Sequence, residues 1–149
     1  TLPERMGAVF IDKDGQKKSP VMLHRALFGS LERFAGILIE HYAGRLPLWL
    51  APLQIIIATI TSDSDKYAKE VLQELRVHGL RADMDLRNEK ISYKIREHSM
   101  SKIPLILVVG KKEAEQKTIS LRRLGSNKTE TIGLKQALSL LQEEAMLPN

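Results

Sequence analysis

Residues 53–60 read Leu-Gln-Ile-Ile-Ile-Ala-Thr-Ile, and this largely apolar run decides the fold. Such a run is typical of a strand that is covered on both faces. From here onward, hydrophobic periodicity predicts six further elements. In order they are a helix that begins at Ser62 and ends before Gly79, a strand at 80–86, a basic helix at 90–100, strands at 105–109 and 118–124, and a last helix that ends before Pro148.

This β-α-β-α-β-β-α order predicts an α/β fold with a mixed, mostly parallel sheet and helices on both faces. The late pair of strands predicts an antiparallel edge. Ligands of such sheets bind beyond the carboxyl ends of the parallel strands. We therefore expect binding residues at 60–61, 86–89 and 110–113.

The residues before this sheet predict a smaller unit. Asp14-Gly15 between apolar runs at 7–11 and 18–23 predicts a hairpin. Ser30 can cap a helix that continues to residue 43. Such a unit is too small to bury a core of its own. We expect three parts, at residues 1–44, a proline-containing linker at 45–52 and a domain at 53–149, and we expect that the chain, which begins Thr1-Leu2-Pro3, is the interior of a longer protein.

Composition narrows the function classes. The 149 residues are 43% hydrophobic and 28% charged, a globular balance that argues against disorder. Cysteine is absent, which excludes a disulfide scaffold and a thiol nucleophile. No apolar run approaches the roughly 20 residues that cross a bilayer. A membrane partner is therefore not expected.

The charge is concentrated in one segment. The net charge is +5, but residues 76–128 hold 13 Lys and Arg against 6 Asp and Glu. Cations cluster around the predicted strand end at 86 and the helix after it: Arg87, Lys90, Lys94, Arg96 and Lys102. Lys90 and Lys94 are i, i+4 neighbours, a spacing suited to tracking phosphates. Asn88 and Glu113 stand at strand ends with side chains suited to base edges. A basic solvated surface is the alternative to RNA binding.

Signatures of a complete active site are missing. The sequence has no G-x-G-x-x-G motif after its first buried strand and no P-loop. Its four histidines, at 24, 41, 78 and 98, never fall at helical metal-ligand spacing. Arg33 lies in the first turn of a predicted helix, where a cation opposes the helix dipole. Either an anion or a salt bridge would explain it.

Four segments resemble threonyl-tRNA synthetases, a class II family. Residues 20–34 resemble the third class II motif, residues 47–54 the linker to the anticodon-binding domain, and residues 85–91 and 94–98 core segments of that domain. The resemblance implies that residues 1–44 are the tail of a catalytic domain and that residues 53–149 are an anticodon-binding domain. The parent protein would ligate threonine to its tRNA through a threonyl-adenylate, converting ATP to AMP and diphosphate. The 149-residue chain alone is expected to be inactive.

The resemblance also assigns roles to residues. In the catalytic tail, Arg33 would contact an ATP phosphate, Arg25 and Ser30 would lie near the substrates, and His24 would be one of three zinc ligands, the other two lying outside this sequence. Six residues would contact the anticodon loop: Ile60, Asn88, Arg96, Lys102, Glu113 and Arg122. Lys102 stands where the family pattern has arginine, and a lysine there loses the planar recognition that a guanidinium provides.

The same resemblance implies cofactors, partners and location. The cofactor would be Zn²⁺, ATP with Mg²⁺ would be a substrate, and the partners would be threonine and its tRNA. The parent protein would form a homodimer through the missing catalytic domain, and its location would be cytoplasmic, with a mitochondrial one as the alternative.

Two other hypotheses remain open. One is a stand-alone RNA-binding accessory module with this fold, although His24 and Arg33 would have no use there. The other is a small nucleotide-binding enzyme, which the missing glycine motif disfavours.

Overall fold

The computed structural model describes residues 1–147 and divides into two compact units, the first of them residues 1–37 and the second beginning at Leu38. The first unit contains a short helix α1 (Leu2–Arg5) and a two-stranded antiparallel ribbon, β1 (Phe10–Ile11) and β2 (Lys17–Lys18). Helix α2 (Leu31–His41) begins in the first unit and ends in the second.

The predicted hairpin is correct in position but much too long. Each strand has two residues, and no regular strand covers 19–30, so the predicted strand leading to His24 is wrong. Pro20 has no backbone N–H to donate to a ladder, which explains why the pairing stops at Lys18. Gly7, the predicted start of the first strand, instead follows the end of α1. Its φ is 64°, and its N–H donates to the Glu4 carbonyl.

The cap of α2 is confirmed. The Arg33 backbone N–H donates to Ser30 Oγ at 3.3 Å, and the Phe34 N–H donates to the Ser30 carbonyl at 3.0 Å. The first bond satisfies one of the amide groups that a helix N-terminus leaves free, and the second is the first regular bond of the helix. The helix ends at His41, two residues before the predicted end, and Gly44 follows at a φ of 73°.

The second unit is built on a five-stranded sheet in the order β4-β3-β5-β6-β7. Its elements are β3 (Ile55–Thr59), α3 (Asp65–Val77), β4 (Ala82–Asp85), α4 (Ile91–Met100), β5 (Leu105–Val109), α5 (Lys111–Gln116), β6 (Thr118–Arg123), β7 (Thr129–Gly133) and α6 (Leu134–Glu144). Strands β4, β3 and β5 are parallel, and β6 is antiparallel to both of its neighbours, β5 and β7. The predicted α/β fold with a mixed sheet and helices on both faces is confirmed, and two of the four strand pairings are parallel.

Some predicted details differ. Sequence periodicity missed α5 and β7, since α5 has only six residues and β7 carries three exposed residues at its start. Helix α3 begins at Asp65 after a 3₁₀ turn at Ser62–Ser64, not at Ser62. The predicted stop at Pro148 lies outside the described residues.

The core lies on both sides of β3. On the first face, Ile55 and Ile57 pack in one cluster with residues of α3 and α6, such as Leu75 and Leu141. On the second face, Ile56 and Ala58 pack with Ile95 of α4. This two-sided burial is what the apolar run at 53–60 predicts. Among residues 1–147, α4 is the one helix that contributes to the core of the second face, and the part of that face beyond β5, on β6 and β7, has polar side chains.

Candidate nucleic-acid interface

Two of the predicted binding loops meet at the carboxyl edge of the parallel strands. A cleft of about 210 Å³ opens between the end of β3 and the end of β4, and it is lined by Thr59, Ile60, Thr61, Ser62, Leu86, Arg87 and Asn88. Ile60 and Asn88, predicted from different parts of the chain, therefore share one cleft. The Asn88 side chain is exposed and forms no hydrogen bond within residues 1–147. Its amide is free to donate to and accept from a base edge.

The third predicted loop, at 110–113, reaches the same edge of the sheet at Gly110. A Cβ at Gly110 would lie 2.9 Å from Ile60 Cδ1 and 3.0 Å from Glu113 Oε2, which is too close for either. A side chain at Gly110 would therefore require the ends of the Ile60 and Glu113 side chains, which meet at the end of β5, to shift. This places Ile60, Asn88 and Glu113 at one edge, as the sequence predicts.

The Glu113 carboxylate has two partners in the chain. Oε2 accepts the Gly110 N–H at 3.0 Å, which caps α5, and Oε1 accepts the Ser120 hydroxyl at 3.0 Å. A carboxylate has about four acceptor positions, so both oxygens can still accept a further bond. Its contact with an anticodon base stays a prediction, but holding the third loop is a role that the sequence reasoning missed.

Below the cleft, a buried carboxylate organises the end of β4. Asp85 accepts bonds from the Arg87 backbone N–H at 3.1 Å, Arg87 Nε at 3.0 Å and Arg87 Nη2 at 2.7 Å, and its Oδ2 lies 2.8 Å from His98 Nε2. The Arg87 guanidinium, more than any other group, holds the pKa of Asp85 well below its usual range despite burial. Arg87 in turn bonds Glu97 at 2.9 Å, and its own pKa is raised chiefly by Asp85. The loop that carries Asn88 is therefore fixed.

Lys94 contradicts its sequence assignment. We expected it beside Lys90 on an exposed, phosphate-tracking face, but it is 1% exposed and points under the cleft. Its Nζ donates to the Thr59 carbonyl at 2.9 Å and the Asp85 carbonyl at 3.0 Å, with Asp85 Oδ1 at 3.9 Å. A phosphate on the surface cannot reach this ammonium. Of the five cations that the sequence grouped here, Lys90, Arg96 and Lys102 are exposed and take part in no salt bridge within residues 1–147.

The other predicted RNA contacts lie away from the cleft. Arg122 pairs in register with Ile106 and Thr129, so it lies on the open second face towards the amino edge of β5, where its guanidinium bonds Asn127 at 3.1 Å. Arg96 is exposed on α4. Lys102 follows α4 in the left-handed region, at a φ of 59°, with its Cγ 3.5 Å from the Cβ position of Gly44. Since α4 has ten residues and spans about 15 Å, Lys102 lies at the opposite edge of the sheet.

The predicted residues of the first unit are all exposed. They are His24, Arg25, Ser30 and Arg33. Ser30 Oγ donates to Glu32 at 2.6 Å while it accepts the Arg33 amide. Among residues 1–147, no three His, Cys, Asp or Glu side chains are grouped so that they could hold a metal ion, so His24 here has no companions. No helix in the same range has the length and apolar character to cross a membrane.

Comparison with known proteins shows which family the second unit resembles. A family model described as an anticodon binding domain matches residues 54–144. Along 99% of its length the chain is 61% identical to a threonine–tRNA ligase of Rhodopseudomonas palustris and 60% identical to one of Parvibaculum lavamentivorans. It spans 22% and 23% of those proteins, or less than a quarter of their length.

Solved structures show the same likeness. The RNA binding domain of a threonyl-tRNA synthetase from Cryptosporidium parvum superposes with a TM-score of 0.82 at 33% identity, over 99% of this chain and 38% of that one. A prolyl-tRNA synthetase from the same organism superposes with a TM-score of 0.65 at 19% identity, over 96% of this chain and 32% of that one, which is a likeness of fold alone.

Proposed function

The chain belongs to the anticodon binding domain family, and we propose that it recognises the anticodon loop of threonine tRNA as part of a threonyl-tRNA synthetase. The observation that carries the proposal is the cleft between β3 and β4. It brings Ile60 and Asn88, whose side chain has no partner in the described part of the chain, to the edge where sheets of this type bind ligands. Identity of about 60% to threonine–tRNA ligases supports the tRNA species.

In this proposal the cleft contacts bases, and exposed cations elsewhere on the second unit contact the RNA backbone. At the cleft, Asn88 offers donors and an acceptor to a base, and the apolar Ile60 side chain, 47% exposed, offers contact area. Arg122 on the open sheet face and Arg96 on α4 contact the RNA backbone. Arg122 is two strands from β3, about 10 Å away. Single-stranded RNA is read by this combination of polar readers and surrounding cations.

The test is a titration of the 149-residue chain with a synthetic anticodon stem-loop of threonine tRNA. A second stem-loop, with one anticodon base changed, measures discrimination. We expect tighter binding to the cognate loop and a linear fall of log K with log salt, because neutralised phosphates release counterions. Equal affinity for both loops, or affinity that does not depend on salt, would show that the basic segment is only a solvated surface.

We further propose that the parent protein activates threonine with ATP and that the first unit contributes to that site. Arg33, an exposed cation in the first turn of α2, is placed to meet an anionic phosphate. His24 would supply one zinc ligand, and the other two would come from outside these 149 residues, since the described part of the chain groups no three ligands. Bound zinc would hold the amino and hydroxyl groups of threonine.

The 149-residue chain by itself should then form no threonyl-adenylate. An ATP–pyrophosphate exchange assay and metal analysis after dialysis test this. Robust exchange, or one tightly bound zinc per chain, would contradict the assignment of residues 1–44 to the tail of a larger catalytic domain.

A further inference from the structure

The largest fully buried side chain in the described part of the molecule is a lysine, and no step of RNA binding uses it. Lys94 is 1% exposed and lies on α4 directly below the cleft. Burying an ammonium is costly unless it is paired and hydrogen-bonded. Here Asp85 supplies the opposing charge at 3.9 Å, and two backbone carbonyls accept hydrogen bonds.

The identity of those two carbonyls is informative. Thr59 is the last residue of β3, and Asp85 is the last residue of β4. Neighbouring parallel strands are joined by ladder bonds along their length, but the ladder ends where the two loops separate. At that point Lys94 Nζ bonds both strand ends, and the Thr59 hydroxyl reaches the Asp85 carbonyl at 3.5 Å. Ile60 follows one strand end directly, and Asn88 follows the other by three residues.

We propose that Lys94 is a positioning residue for anticodon recognition, which clamps the ends of β3 and β4 and so fixes the separation of Ile60 and Asn88 across the cleft. This inference rests on the proposed function. The ammonium touches no RNA, so its effect falls on discrimination between anticodons and not on the electrostatic part of the affinity. Preorganised loops avoid the ordering cost that flexible ones incur on binding.

The experiment compares Lys94→Met with Lys90→Met, which removes an equal charge from an exposed lysine at the start of the same helix. We expect Lys94→Met to reduce the cognate-to-mismatched affinity ratio by about fivefold or more, with an unchanged salt slope. Lys90→Met should weaken both stem-loops equally and make the slope shallower by about one. Both variants are measured under conditions in which circular dichroism shows them folded.

A double-mutant cycle separates positioning from general destabilisation. If Lys94 acts through Asn88, the loss of discrimination caused by Asn88→Ala shrinks in the Lys94→Met background, because the two effects are coupled. Additive effects, or wild-type discrimination in Lys94→Met, would overturn the positioning role. The proposed function fails separately, if the unaltered chain does not distinguish the two stem-loops.

A measurement on the unaltered chain keeps the proposal testable even if Lys94→Met does not fold. The Arg87 amide bonds Asp85 and the Ile60 amide bonds the Val109 carbonyl. Clamped loops should protect both amides from hydrogen exchange in the free chain, with little further protection when the cognate stem-loop binds. Protection that arises only on binding would show that the RNA orders these loops and would refute the clamp.

Discussion

Replacing Asp85 by asparagine should destabilise the second unit more than the loss of any exposed charge. The Asp85 side chain is 4% exposed, and it accepts three bonds from Arg87 and lies 2.8 Å from His98 Nε2. Asparagine keeps the shape and one acceptor oxygen. Its NH₂ group then faces existing donors, and the ammonium of Lys94 loses its buried counter-charge.

The size of the effect follows from these contacts. Removing one member of a buried ion pair costs about 3–5 kcal/mol. Arg87 is half-exposed, so solvent screens part of its share. We therefore expect a loss of about 2–4 kcal/mol in the free energy of unfolding, a large part of the 5–15 kcal/mol that typical domains possess.

The control is Glu97→Gln, which removes the other carboxylate partner of Arg87 at a site that is 39% exposed. Its cost should stay below about 1 kcal/mol. Urea unfolding followed by the fluorescence of Trp49, the only tryptophan, reports on the second unit, to which that residue belongs. A midpoint shift for Asp85→Asn no larger than that for Glu97→Gln would refute the organising role of the buried carboxylate.

The stability difference between the unaltered chain and Asp85→Asn should shrink as the pH falls below about 4, because the folded pKa of Asp85 is depressed and its contribution is complete only above the unfolded value; urea midpoints at pH 7 and pH 3 measure it. Glu113→Gln keeps an acceptor for the Gly110 amide, so it should leave α5 intact while weakening the cognate stem-loop by about 1–3 kcal/mol and a mismatched loop less; tighter binding to both loops would mean that Glu113 only offsets nearby lysines. Gly110→Ala should displace the end of the half-exposed Ile60 side chain, whose Cδ1 would lie 2.9 Å from the new methyl group, and so weaken cognate binding while costing less than about 1 kcal/mol of stability. Unchanged stability and cognate affinity in that variant would show that the crowding at Gly110 is relieved without consequence.

Sequence periodicity predicted the elements whose burial is local. The runs at 53–60 and 105–109 carry their own apolar signal, so β3 and β5 could be placed from sequence, and the antiparallel addition of β6 was also foreseen. Helix α5 depends on a single capping carboxylate, Glu113, and on its contacts with neighbouring strands, neither of which periodicity detects.

The buried charges at the end of β4 were harder to predict. Along 80–86, apolar residues alternate with Arg81, Asp83 and Asp85, which predicts that both aspartates lie on the outward face of a half-buried strand. Helix α4 covers one end of that face, so Asp85 is buried while Asp83 is exposed. Lys94 did leave a signal. Ile91, Lys94, Ile95 and His98 follow i, i+3, i+4, i+7 spacing, which places the lysine on the apolar side of α4. The i, i+4 spacing of Lys90 and Lys94 instead favoured the interpretation of an exposed, phosphate-binding face.

Under the proposed positioning role of Lys94, affinity and discrimination should rest on different cations because of where those cations lie. Exposed lysines such as Lys90 can approach phosphates, so their contribution falls as salt rises. Lys94 is buried against two carbonyls and is screened little by salt. An apolar residue at 94 would avoid the cost of burying a charge, but it would leave both strand-end carbonyls without this donor. Retaining a lysine there makes sense if the separation of Ile60 and Asn88 matters more than the stability gained by removing it, which is why discrimination should persist at salt concentrations that weaken overall binding.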